Sequence, residues 1–116
     1  MQKLHLRSWD ISMDTKKYKV IITPTAFREL DRIYTYISEE LYAKNAAKDL
    51  MGKIESEIKN LSSNPKIYPK IEKIDELNRI YRRIVVKKYI VLYTLDEENN
   101  IVFVSHIYYG KRDYLN

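Results

Sequence analysis

The residues with the most chemistry to offer fall late in the sequence. Arg82 and Arg83 are adjacent in a β-rich stretch, His106 lies in another, and Tyr108, Tyr109, Lys111 and Arg112 follow it. A guanidinium presents a planar fork of donors that grips a phosphate with two hydrogen bonds. A histidine ordinarily changes charge near neutral pH, which suits acid–base work. A phenol can stack on a base or donate a proton. Together these residue types could hold a phosphate and move protons around it. Each also has a plainer use. Arg112 could be a solvated charge paired with Asp113. Arg82 and Arg83 could form structural ion pairs or lay their stems along apolar surface. His106 could be a hydrogen-bonded strand histidine, and with 11 tyrosines in the chain any one phenol serves more ordinarily in a core or rim. Neighbouring strand residues point to opposite sides, so Arg82 goes with Ile80 and Ile84, and Arg83 with Tyr81 and Val85. Which side is open is not fixed by the pattern. By the same alternation His106 falls in phase with Val102 and Val104.

The charge around these residues favours an anionic partner. The net charge is +5, and its excess lies in the N-terminal arm (Lys3, Arg7, Lys16, Lys17, Lys19) and in the last third of the chain. Arg79, Arg83, Lys87, Lys88 and Lys111 are the candidate contacts to a protein or nucleic-acid partner. With 116 residues the chain has room for one domain,. The absence of cysteine excludes a disulfide framework and a thiolate metal site, and a reducing cytoplasm is the expected compartment,. No apolar run approaches the roughly 20 residues of a membrane span, and the first residues do not read as a signal peptide. No metal or cofactor is expected.

These side chains need a scaffold, and the hydrophobic periods supply one. Residues 1–16 read as an arm without clean periodicity, in which Leu4, Leu6, Trp9 and Ile11 could pack on this chain or on a partner; Met13 is a second possible start. Residues 17–116 read as one domain. Tyr18 to Ile22 is a short β-rich run. Thr23-Pro24 then offers a helix cap and a first-turn proline. Ala26, Leu30, Ile33, Ile37 and Leu41 form one apolar stripe, with Arg28, Glu29, Asp31, Arg32, Glu39 and Glu40 mostly off it and expected in solvent. A second stripe, Ala46 or Ala47, Leu50, Ile54, Ile58 and Leu61, ends at Ser62-Ser63-Asn64-Pro65. A short connection makes the two helices an antiparallel hairpin. Residues 65–78 read as a loop. The period then changes to two over Arg79–Val86, Tyr89–Leu95 and Ile101–Tyr108, with turns at Lys87-Lys88 and at Asp96–Asn100. The order βααβββ predicts an α+β fold, an antiparallel sheet with a helical hairpin on one face. Its other face is expected to be partly open and basic.

This order, with the chain's length and charge, resembles the RelE/ParE superfamily of toxins from type II toxin–antitoxin systems. Tyr18-Lys19-Val20 with Thr23-Pro24-Thr25-Ala26 looks like the family's first strand and helix start. Leu61-Ser62-Ser63-Asn64-Pro65 resembles its helix end. Tyr81-Arg82-Arg83-Ile84-Val85-Val86 followed by Tyr89-Ile90-Val91-Leu92-Tyr93 resembles the ParE branch, and Gly110-Lys111-Arg112-Asp113 the basic ending of RelE-like chains. The likeness runs from Tyr18 to Asp113, and its weight lies in the ordered combination.

The resemblance implies a cognate antitoxin as partner and a role of the plasmid-stabilisation type. RelE-like members cleave mRNA on the ribosome without metal, using the RNA's own 2′-hydroxyl, so the protein must stabilise a pentacoordinate phosphate and move protons. The candidate catalytic residues for that activity are Arg82, His106, Tyr109 and Arg112, with Lys111 and Tyr108 beside them. Several nuclease positions are altered. The nuclease members carry Arg directly after the Tyr of the middle strand, where this chain has Ile90. One of their strand lysines falls on Ile84, and their late Tyr would lie beyond Asn116, leaving Tyr114 or Tyr109 as substitutes. Losing a cation aimed at a phosphate costs about two or three powers of ten in rate. The departures favour the ParE branch, whose members poison DNA gyrase by protein–protein binding. The expectation is therefore a growth-inhibiting toxin acting on gyrase. The alternatives are a ribosome-dependent endoribonuclease and a non-toxic nucleic-acid- or partner-binding module on the same fold.

Overall fold

The computed structural model describes residues 17–74 and 79–110. The N-terminal arm, Lys111 and Arg112 lie outside the described residues. Strand β1, Lys19–Ile22, leads into helix α1, Pro24–Thr35. Thr23 caps α1 as its sequence suggested: its hydroxyl accepts the Ala26 amide at 3.2 Å, and Pro24 occupies the first turn, where no amide donor is needed,. The helix continues as a π-helical turn, Tyr36–Glu40, closed by a bond from the Leu41 amide to the Tyr36 carbonyl. This wider turn takes Leu41 off the apolar stripe and leaves it 53% exposed,. Helix α2, Lys44–Asn60, returns with Ala47, Leu50, Ile54 and Ile58 buried. Four more strands follow: β2, Lys70–Ile74; β3, Ile80–Val86; β4, Tyr89–Asp96; and β5, Ile101–Tyr109.

The strands form one sheet in the order β1-β5-β4-β3-β2. The α+β architecture is as expected, and two details differ from the strand reading. Lys70–Ile74 pairs with β3 where a loop was anticipated, and β1 runs parallel to β5, so the sheet is mixed. The β1 pairing joins residues some eighty positions apart, Lys19 with Ile101 and Ile22 with Val104. It follows from the helical hairpin, which carries the chain away and back so that the last strand falls beside the first.

The main core lies between the hairpin and one sheet face. It joins Leu30, Ile54 and Ile58 of the helices to Val20, Ile84, Val91, Tyr93, Val102 and Ile107 of the strands. Each such aliphatic side chain contributes about 1.5–3 kcal/mol by leaving water, so this layer supplies most of the stabilisation. A second apolar cluster, Tyr81, Ile90, Leu92 and Tyr108 with Ile71 against it, forms on the other face. The face expected to be open and basic is therefore apolar and buried at its centre.

The loop after α2 is strapped to the sheet. The Tyr93 hydroxyl donates to the Pro65 carbonyl, and the Tyr68 hydroxyl donates to Glu57 of α2 at 2.7 Å. The two rings meet edge to face. The Arg82 guanidinium donates to the carbonyls of Tyr68 and Lys66, at 2.7 and 3.2 Å.

Candidate functional site

Among the described residues proposed for phosphate chemistry, Arg82 stands apart from His106 and Tyr109. Arg82 shares the helix-facing side of β3 with Ile84 and Val86, and its guanidinium binds loop carbonyls. Arg82 pairs with Tyr93 of β4, whereas Tyr109 of β5 pairs with Tyr89. Those two β4 positions stand roughly 13 Å apart along the strand. His106 points elsewhere again. Between the pairs Tyr93–Val104 and Leu92–His106 the register shifts, leaving Ser105 as an extra residue in β5. This bulge breaks the alternation that put His106 in phase with Val102 and Val104. His106 instead pairs with Leu92, a member of the opposite-face cluster, and Ile107 takes the core side,. Arg82, His106 and Tyr109 thus share no pocket among the described residues.

The residues proposed for partner binding are more coherent. Arg79, Arg83, Lys87 and Lys88 are all exposed. Arg83 lies on the face away from the helices, opposite Leu92, and Arg79 sits over the Tyr81 ring at 5.9 Å. Lys87 and Lys88 form the two-residue turn between β3 and β4 at the end of the same strand, closed by the Val86–Tyr89 pair. The result is a row of cations along β3, beside the second apolar cluster.

A separate cleft of about 600 Å³ opens where α1 meets the end of β5. Arg32, Ile33, Tyr36, Leu41, Tyr89 and Tyr109 line it. Tyr89 and Tyr109 touch edge to face, with ring centroids 5.5 Å apart. Burial first, then the phenols of Tyr109 and Tyr36, push the Tyr89 hydroxyl above its ordinary pKa. At the rim, Tyr36 is 54% exposed; Tyr42, beside a separate pocket formed with Ser38 and Asn45, is 90% exposed and holds a left-handed φ of 51°.

Glu29 forms the inner wall. Its side chain is 11% exposed, although its position off the main stripe suggested solvent. One carboxylate oxygen accepts the Ile107 amide at 2.8 Å, and the other lies 3.3 Å from Nδ1 of His106.

A family model described as the ParE toxin of type II toxin–antitoxin system, parDE, matches residues 20–114. The chain belongs to the ParE toxin family. No curated protein matches it. Among solved structures it is similar to a chain of the chromosomal ParDE toxin–antitoxin system from P. aeruginosa. The TM-score is 0.62 at 14% identity, over 78% of this chain and 92% of that one. At that identity the likeness speaks for the fold.

In this ParE-family chain, sequence reasoning singled out the cations of β3 and its turn as candidates, and did not single out Glu29, Tyr36 and Tyr42. A signal for the first two was present: Glu29, Ile33 and Tyr36 recur at spacings of four and three, a second helical stripe beside the first. Nothing in the spacing announced the left-handed Tyr42. No described helix is long and apolar enough to cross a membrane.

Proposed function

We propose that the chain is a growth-inhibiting toxin of the bacterial cytoplasm, held in check by a cognate antitoxin, and that it acts by binding DNA gyrase without cutting RNA. One observation carries the choice between targets: Arg82, one of the cations proposed for a phosphate, is spent on the Lys66 and Tyr68 carbonyls, away from His106 and Tyr109. With Ile90 and Ile84 standing where nuclease members carry cations, a transition-state clamp lacks those two cations,. The exposed row Arg79, Arg83, Lys87 and Lys88 suits an acidic protein surface, where complementary charge speeds encounter and sets orientation,.

The test has two arms. Expressed alone, the chain should stop bacterial growth, and the product of the neighbouring gene should restore it. Purified chain should inhibit gyrase supercoiling, while mRNA 5′ ends in a translation reaction stay as they are without it. New ends inside translated codons would replace gyrase with the ribosome. Harmless high expression of folded chain would replace the toxin with a non-toxic binding module.

A further inference from the structure

On the sheet face away from the helices, the half next to the Asp96–Asn100 turn carries an apolar row with an acidic rim. Ile21 of β1 pairs with Phe103 of β5, and Phe103 pairs with Thr94 of β4. Their strand neighbours Val20, Val102 and Tyr93 belong to the main core, so by alternation these three face away from it,. Tyr93 pairs with Arg82, which puts Tyr81 next in the row on β3. Ile21 and Phe103 are only half-buried, and a second rank, Lys19, Ile101 and Asp96, lies beside them. A groove of about 1000 Å³ runs here, lined by Phe103, Thr94 and Arg79 and by the carboxylates of Asp96, Glu97 and Glu98.

Two of those carboxylates are engaged. Glu97 meets Lys66 at 3.2 Å, and Asp96 accepts the Asn99 amide and side chain at 3.2 and 2.9 Å. No cation among the described residues pairs with Glu98. An apolar strip of this kind marks a contact surface. Its acidic rim repels the acidic partner that suits Arg83, Lys87 and Lys88, and it fits an occupant that is apolar and basic at once.

The chain carries such a segment, rooted beside the groove. The Lys19 amide donates to the Asn100 carbonyl and the Tyr18 amide to the Ser62 carbonyl, each at 2.9 Å. The Lys17 ammonium donates to the Ser63 hydroxyl at 3.2 Å. The arm that leads to Lys17 holds Leu4, Leu6, Trp9 and Ile11 together with Lys3 and Arg7. Trp9 stands eight residues before Lys17. Eight residues reach up to about 26 Å, whereas three strand spacings, from β1 to β3, come to about 14 Å. The family match begins at residue 20, so the arm lies outside what that family shares.

We propose that the arm folds back over this groove on its own chain, seating Trp9 and its apolar neighbours on Ile21 and Phe103 and setting Arg7 and Lys3 against Glu98. The arm closes the acid-rimmed end of the face. It leaves Arg83, Lys87 and Lys88, which lie outside the groove, open to a partner. A chain begun at Met13 lacks this cover. The inference is independent of which target the toxin takes.

Trp9 is the one tryptophan of the chain, so intrinsic fluorescence of the full-length protein reports on the arm. In the folded chain its emission should lie at shorter wavelength than in the urea-unfolded chain, and acrylamide should quench it more slowly. Phe103→Ser should move both readings towards their unfolded values. Glu98→Lys should move them part of the way, with the larger difference from wild type at low salt, where the attraction it removes is least screened. Circular dichroism establishes that each variant is folded. A Trp9 that emits and quenches in the folded wild type as it does in urea overturns the docking. A sheltered Trp9 that neither variant disturbs overturns the groove as its seat. If Phe103→Ser does not fold, Glu98→Lys decides alone. Shelter lost on dilution, with doubled mass at high concentration, assigns the groove to the arm of a second copy and overturns the fold-back.

Discussion

Tyr93, in the middle of β4, hydrogen-bonds through its hydroxyl to the carbonyl of Pro65, in the loop after α2. Tyr93 is 0% exposed, so water cannot take the place of that bond. Tyr93→Phe keeps the packing but leaves the Pro65 carbonyl buried and unsatisfied. The variant should lose about 1–3 kcal/mol of stability. Urea unfolding would show it as a lower midpoint at unchanged slope; an unchanged midpoint would mean that the strap carries no weight.

Alkali should loosen the same loop. Burial, reinforced by the hydrogen bond to Glu57 and by its negative charge, raises the Tyr68 phenol to about 12. Burial likewise raises Tyr93, although Arg82 opposes it. A phenol whose folded pKa lies above its unfolded value of about 10 holds its proton more tightly when folded. Its stabilising contribution is complete below about pH 10 and is lost as pH rises towards 12,. Thermal unfolding measured across that window should show a falling midpoint. Tyr68→Phe should flatten part of the fall, and an identical slope in the variant would remove Tyr68 as its source.

The β3–β4 turn holds a correctable strain. Lys87 has a φ of 56°, a left-handed conformation that costs an ordinary residue roughly 1–2 kcal/mol,. Lys87→Gly relieves that cost and gives back part of it as unfolded-chain entropy, for a net gain of about 0.5–1 kcal/mol. Chemical denaturation of the single variant measures this directly. A loss of stability would place the strain elsewhere.

Charge reversal on β3 should separate binding from folding. Arg83 and Lys88 are exposed, so Arg83→Glu with Lys88→Glu should shift stability by no more than about 0.5 kcal/mol,. Association with an acidic partner should slow by tenfold or more, and most strongly at low salt. Surface-binding kinetics at two ionic strengths test this. An unaltered association rate would exclude the cationic row from the encounter.

Much of the fold was legible in local pattern. Ala26, Leu30, Ile54 and Ile58 announced their helices by spacing, and Thr23-Pro24 marked where the first begins. Four features were not legible, each because its cause is not local. The parallel β1–β5 pairing is decided by where the hairpin returns the chain. The sequence of β2, Lys-Ile-Glu-Lys-Ile, alternates too weakly to stand apart from a loop. The π turn at Tyr36–Glu40 inserts no recognisable residue type. The bulge at Ser105 shifted His106 out of the phase in which counting had placed it. The site suffered more than the fold, since Arg82 was visible as a cation while its commitment to the Lys66 and Tyr68 carbonyls depends on a loop conformation. The second stripe hinted at Glu29, but its bond could not be read from it: the partner amide, Ile107, lies 78 residues away.

Ser105 also separates two histories that one strand would otherwise share. Up to Val104, β5 answers to the core and to β1, and substitutions there are held to size and shape. Past the extra residue, the chain addresses the cleft and the sheet edge, with the parity of its side chains reversed. The extra residue is what lets Val104 and Ile107, three positions apart, both face the core,. One strand thereby serves two segments whose core positions follow different counts,.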